Sequence, residues 1–276
     1  MKEKEEAKGR ASEIEELKEE ATSNESSFGI DIEEMAKAGI HFGRRTSKAN
    51  PKMKTYLYGV RNTIHIIDLE KTKEKLVQTL EFIKNLISEN KILLVVGTKI
   101  QVKELVKNFA TECSLPYINE RWLGGTFTNF GIIKKRIDYF KDLEKKKAEG
   151  ELEKYTKKER AKIEKILKDL EKKFGGIKNL EKLPDAIFVL DMKKDDLAVK
   201  EARIKGIKVI GIANTNVDPS LADLPIPAND NAISSVKYIL DKVKEVIISQ
   251  KSKTELPKEA KVKKRTESSS PAKSQK

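Results

Sequence analysis

The sequence predicts an α/β protein: a parallel sheet with helices on both faces, from which a helical arm projects. Three observations carry this. First, "ILLVVGT" (Ile92–Thr98) is a short continuous apolar run, the pattern of a strand buried on both faces. Second, "AIFVLD" (Ala186–Asp191) and "KVIGIA" (Lys208–Ala213) repeat that pattern, with helical spacing between them. Third, a segment from about Asn129 to Phe174, rich in Lys, Glu, Leu and Ile, interrupts the alternation.

In chain order, residues 1–27 hold five basic and nine acidic side chains and few bulky apolar ones, so they read as a disordered or marginally helical extension. "IHIID" is β-rich. Glu70 to Asn90 then carries Leu76, Leu80, Ile83 and Ile87 at helical spacing. Lys99 to Cys113 reads as a helix and "PYINERW" as a further strand. In the interrupting segment, Ile133, Ile137, Phe140 and Leu143 form one narrow stripe, and Ile163, Ile166, Leu170 and Phe174 form another. Thr156 with Glu159 three residues on is a capping box, and the glycines at 175–176 end the second helix. Two helices with narrow stripes and a short connector make an antiparallel hairpin. A helix over about Asp195–Lys205, the strand "KVIGIA", "LPIPAND" (Leu224–Asp230) and a helix over about Asn231–Ile248 follow, with Asn229 or Asp230 as N-cap of the last. The expected divisions are 1–27 as extension, 28–128 with 175–250 as α/β body, 129–174 as hairpin arm, and 251–276 as a disordered basic tail of about +6.

The whole chain of 276 residues carries a formal net charge of +13. Such an excess favours a polyanionic partner, nucleic acid or an anionic membrane surface. No apolar run approaches the roughly 20 residues that span a bilayer. The N-terminus has no apolar core of a secretory signal. The single cysteine, Cys113, excludes an intramolecular disulfide and a multi-cysteine zinc knuckle. A cytoplasmic protein is expected.

Both histidines lie in "AGIHFGRRTSKANPKMKTYLYGVRNTIHIIDL" (Ala38–Leu69). Here Arg44, Arg45, Lys48, Lys52, Lys54 and Arg61 interleave with Phe42, Tyr56 and Tyr58, and Asn50-Pro51 and Gly59 punctuate the stretch as loop and turn. Basic side chains meet phosphates and aromatic rings stack on unpaired bases. The alternative is a solvated loop at the edge of the sheet. His65 fits a satisfied strand residue, and the chain has neither HExxH nor CxxC. A site shared with Asp191 is the weaker reading, since α/β sheets bind ligands at the carboxyl ends of their strands, and His41, Asp191 and Asp218 are the candidate metal ligands. The phosphate-loop motifs are absent. "RWLGGTFTNF" (Arg121–Phe130) offers backbone N–H groups at a helix start, open either to a phosphate or to a tight turn packed by Trp122 and Phe127. Arg121, Lys134, Lys135 and Arg136 add basic side chains beside it.

The opening stretch, with "VGTK", "RWLGGTFTNF", "TKKE", "GGIKNLEKLPDAIFVLDMKKDDLAVKEA" and "GIKVIGIANTNVDPSLADLPIPANDNAISSV", resembles the bacterial small-subunit ribosomal protein two family, from about Phe28 to Ile248. The resemblance implies a Rossmann-like (flavodoxin-like) body with a protruding antiparallel coiled-coil hairpin. It also implies a structural role in the small ribosomal subunit, bound to 16S ribosomal RNA and neighbouring ribosomal proteins, helping to dock ribosomal protein one. No cofactor, small-molecule substrate or membrane is implied. Three departures stand out: Arg44 where the family usually has histidine, Ala49 where it usually has tryptophan, and Asn214 where aspartate is common before "TNVDP". The last weakens a metal pocket built from the strand ends; the first two alter the loop's contacts and leave its charge. Two other readings are a nucleotide-dependent enzyme, disfavoured by the missing phosphate loop, and a free RNA-binding regulator.

Overall fold

The computed structural model describes residues 28–267 of the chain; the N-terminal extension and the last nine residues of the tail lie outside them. The elements are α1 (Ile32–Lys37), β1 (Phe42–Arg45), β2 (Leu57–Arg61), β3 (Ile64–Ile67), α2 (Leu69–Ser88), β4 (Leu93–Val96), α3 (Lys103–Glu112), β5 (Tyr117–Ile118), α4 (Phe130–Ala148), α5 (Lys157–Phe174), β6 (Ala186–Val189), α6 (Asp196–Ile204), β7 (Lys208–Ala213), β8 (Leu224–Pro227) and α7 (Ile233–Glu267). The backbone of α7 thus runs beyond the expected end at Ile248.

The five strands β4–β8 form a parallel sheet in the order β5-β4-β6-β7-β8. Numbered along the chain this is 2-1-3-4-5, the flavodoxin-like order, with its switch point between β4 and β6. Every residue of β4 and β6 is buried. The pleat sends Leu93, Val95 and Phe188 into one core with α2, α3 and α7. Leu94, Val96, Ile187 and Val189 enter a second core with α4, α5 and α6. That is why these strands read as unbroken apolar runs. The far edge strand β8 carries Pro225 and Pro227, which lack N–H donors and so discourage further pairing.

The sequence reading placed only "IHIID" of the opening stretch in a strand. In the structure the stretch folds into a separate antiparallel sheet, order β1-β3-β2. Asn62 and Thr63 alone connect β2 to β3, both with positive φ, 46° and 62°. A two-residue hairpin matching the strands' twist needs that conformation, usually with glycine, so this one gave no sequence signal. The small sheet is fastened to the carboxyl edge of the large one. Arg44 N–H donates to Thr215 Oγ1 at 2.8 Å, Asn50 N–H to Thr215 O at 2.7 Å, and Asn229 N–H to Ile40 O at 3.1 Å. Gly43 is required at this seam, since a Cβ there would lie 2.5 Å from Thr215 Cγ2.

The helices α4 and α5 pack on one another through Ile137, Phe140, Leu143, Leu167 and Leu170. The expected capping box forms at the start of α5, where Thr156 N–H donates to Glu159 Oε2 at 3.0 Å. At the root of α4 the candidate phosphate cradle is already filled. Glu201 of α6, only 4% exposed, presents Oε1 to Gly125 N–H at 2.8 Å and Oε2 to Phe127 N–H at 2.9 Å and Thr128 N–H at 3.2 Å. The Trp122 indole N–H donates to Oε1 at 3.3 Å. Burial alone would raise the Glu201 pKa, but these donors outweigh it and hold the carboxyl below its ordinary value.

This arrangement has a measurable consequence. Glu201→Ala leaves buried N–H groups without an acceptor and is expected to cost about 3 kcal/mol, or roughly 6–12 °C in melting temperature. Because the folded-state pKa is depressed, the carboxylate's contribution is present above its unfolded value near roughly pH 4.3 and disappears as pH falls through the folded value. Thermal melts from pH 7 to pH 3 are therefore expected to lose stability more steeply in the wild-type chain than in Glu201→Gln. Parallel pH profiles would contradict the assignment.

Candidate functional site

The carboxyl ends of β4, β6, β7 and β8 converge on one charged pocket. β6 delivers Asp191 and the turn after it supplies the N–H groups of Lys193 and Lys194, which donate to Asp191 Oδ1 at 2.9 and 3.0 Å. The loop after β4 delivers Lys99, whose Nζ lies 2.8 Å from Asp191 Oδ2 and 3.2 Å from Asp230 Oδ2. β8 leads to Asp230, with a side chain 2% exposed. From β1, across the seam, comes Arg44: its Nη2 lies 3.0 and 3.1 Å from the two Asp230 oxygens and 2.8 Å from Asn231 Oδ1. Asn214, at the end of β7, donates Nδ2 to Asp230 Oδ1 at 2.5 Å.

The electrostatics follow from these contacts. Burial pushes the Asp191 pKa up, but the Lys99 ammonium and the two backbone donors prevail and lower it. One turn on, burial raises the pKa of Asp195, whose carboxylate accepts from Thr98 Oγ1 at 2.8 Å; the Asp191 charge adds to the rise. Ion pairs this dry are costly to break singly, because each leaves an unmatched buried charge.

The metal candidates do not come together. Asp191 faces Lys99, while Asp218 faces Lys52 at 2.6 Å, and Lys52 with Ser220 holds the Asp218 carboxyl down to about 2. His41 packs against Phe42 at a tilt of 40°, with ring centroids 4.0 Å apart, and burial lowers its pKa. Among the described residues no group of three or more His, Cys, Asp and Glu side chains is arranged to hold a metal ion. The strand-end pocket does not fit a divalent cation either, because side-chain cations already face both of its inner carboxylates. Arg44 therefore changes the charge of the pocket, where the sequence reading had it change only loop contacts.

Among the basic residues picked from the sequence, Arg45, Lys48, Lys54 and Arg61 are exposed on the small sheet and its loop, beside Tyr58 at 82% and Phe42 at 48% exposure. Arg121, Lys134, Lys135 and Arg136 are exposed around the start of α4. Arg44 and Lys52 are instead engaged with Asp230 and Asp218. Sequence reasoning missed Lys99 and Glu201, and it considered Asp230 only as a helix cap. A polar residue beside an apolar strand and a glutamate on an amphipathic helix give no sign of their distant partners.

Comparison with known proteins fits this geometry. The family model described as Ribosomal protein S2 matches residues 35–250. The small ribosomal subunit protein uS2 of Dictyoglomus thermophilum is 45% identical over 220 residues, covering 80% of this chain and 89% of that protein. Among the described residues no helix is long and apolar enough to cross a membrane. With a parallel α/β sheet whose ligand-binding edge is closed by its own ion pairs, and a family match spanning most of its length, the chain belongs to the ribosomal protein S2 family, non-enzymatic structural components of the small subunit of the cytoplasmic ribosome.

Proposed function

We propose that this chain binds 16S ribosomal RNA through the small antiparallel sheet and its loop, and helps to dock ribosomal protein one on the subunit. The observation that carries the RNA reading is the set of exposed Arg45, Lys48, Lys54 and Arg61 around exposed Tyr58 and Phe42. Cationic side chains that are already ion-paired have less to offer a phosphate, so Arg44 and Lys52 act here by holding the sheet and loop in place. Arg121, Lys134, Lys135 and Arg136 supply a second set of phosphate contacts at the root of α4. The docking of ribosomal protein one rests on the family resemblance alone.

Phosphate contacts release counterions, so binding weakens with salt in proportion to their number. The double variant Arg45→Ala, Arg61→Ala is expected to flatten the log–log salt dependence of RNA binding by about 1.5 units. Filter binding with a 16S fragment across a salt series measures it, and an unchanged slope would remove this sheet from the interface.

We further propose that α4 and α5 form an antiparallel coiled-coil arm serving assembly rather than folding of the body. The two helices pack on each other through Ile137, Phe140, Leu143, Leu167 and Leu170, as narrow stripes require, and these residues also join the core under the sheet. Replacing residues 136–171 with a short Gly/Ser linker is expected to keep a cooperative thermal transition and to lower co-sedimentation with small subunits in a sucrose gradient. A molten chain would make the arm part of the core. Full co-sedimentation without it would deny the arm a role in assembly, and absence of the intact chain from the small-subunit fractions would favour a free RNA-binding regulator.

A further inference from the structure

We infer that the strand-end pocket of this chain is a lock held by side-chain cations alone, and that Arg44 and Asn214 together make it independent of metal. The two residues stand 170 positions apart in sequence. The structure brings both onto one atom: Asp230 Oδ1 takes the Arg44 guanidinium at 3.0 Å and the Asn214 amide at 2.5 Å.

Charge counting gives the pair its meaning. As it stands, the two carboxylates Asp191 and Asp230 face the two cations Lys99 and Arg44. These two pairs balance in charge, and Asn214 adds a donor without adding charge. With histidine at 44 and aspartate at 214, three carboxylates would face Lys99 as the one permanent cation. Buried carboxylates in that proportion need a further positive charge, and a divalent cation with oxygen and imidazole ligands is the usual supply. Arg44 provides a positive charge and Asn214 removes a negative one. Neither substitution alone balances the pocket.

One guanidinium nitrogen makes the side-chain contacts of Arg44. Arg44 Nη2 bridges Asp230 and Asn231, and Lys99 Nζ reaches the Asp230 carbonyl at 2.9 Å and Asn231 Oδ1 at 2.7 Å. The acceptors a metal would draw on are thus taken by nitrogen donors from β1 and the β4 loop. The lock closes the small sheet onto the large one without an ion that chelation could remove.

The test is thermal unfolding of the full chain after exhaustive EDTA treatment, then with magnesium, manganese or zinc chloride, with metal content read by plasma mass spectrometry. The wild-type chain is expected to retain no stoichiometric metal and to melt at the same temperature in every condition. The double variant Arg44→His, Asn214→Asp is expected to melt lower in EDTA. It should recover by roughly 5–10 °C when one of the three cations reaches about a hundred times its dissociation constant. Folding of that variant only with metal is the same result in stronger form. A wild-type chain that carries stoichiometric metal or loses stability in EDTA overturns the inference, as does a double variant as indifferent to all three cations as the wild type. Should the double variant fold in no condition, the wild-type arms decide, together with Arg44→Lys, which keeps the charge and is expected to stay indifferent to EDTA.

Discussion

The carboxylate of Asp230 is the constraint on which the arrangement turns. It is held at the carboxyl edge of the parallel sheet with its side chain 2% exposed, where an unmatched charge is not tolerated. Its partners arrive from three places far apart in sequence: Arg44 from β1, Lys99 from the loop after β4, and Asn214 from the end of β7. Satisfying one buried anion therefore fixes where the small sheet sits on the large one. The exposed basic residues of that sheet inherit their orientation from the same contacts.

A second buried anion works in the same way on the opposite core. Glu201 gathers three backbone N–H groups at the root of α4, a geometry that in other α/β proteins receives a phosphate. Together the two carboxylates occupy the places where sheets of this order hold their ligands: the strand-end crevice and the glycine turn entering a helix. The fold keeps its architecture while its interior sites are spent on internal ties.

Much of this was legible in the sequence because some features are local. Continuous apolar runs announced β4, β6 and β7, since burial on both faces leaves no polar alternation to read. The Thr156–Glu159 box and the apolar stripes announced α4 and α5, although Ile166 of the second stripe is exposed and Leu167 is buried in its place. The small sheet was harder, because its strands are four or five residues long, rich in basic and polar side chains, and turned at Asn62-Thr63 without glycine. Asp230 looked like a helix cap, but its carboxylate faces the pocket, while the neighbouring Asn229 Oδ1 accepts the Asn231 N–H. The partners of Arg44 and Glu201 lie 186 and 73 to 79 positions away, and a linear reading has no access to such pairs.

Native-state hydrogen exchange on Asp230→Asn tests the central claim most directly. Removing the charge that Arg44 and Lys99 share is expected to release the seam between the sheets. The amides of Thr46 and Ile67, bonded to Thr63 O and His41 O within the small sheet, should then exchange faster. Those of Val95, Phe188 and Ile210, deep in the parallel sheet, should keep their wild-type protection. Unchanged exchange at Thr46 and Ile67, or an equal loss of protection across β4, β6 and β7, would contradict the view that Asp230 fastens one sheet to the other.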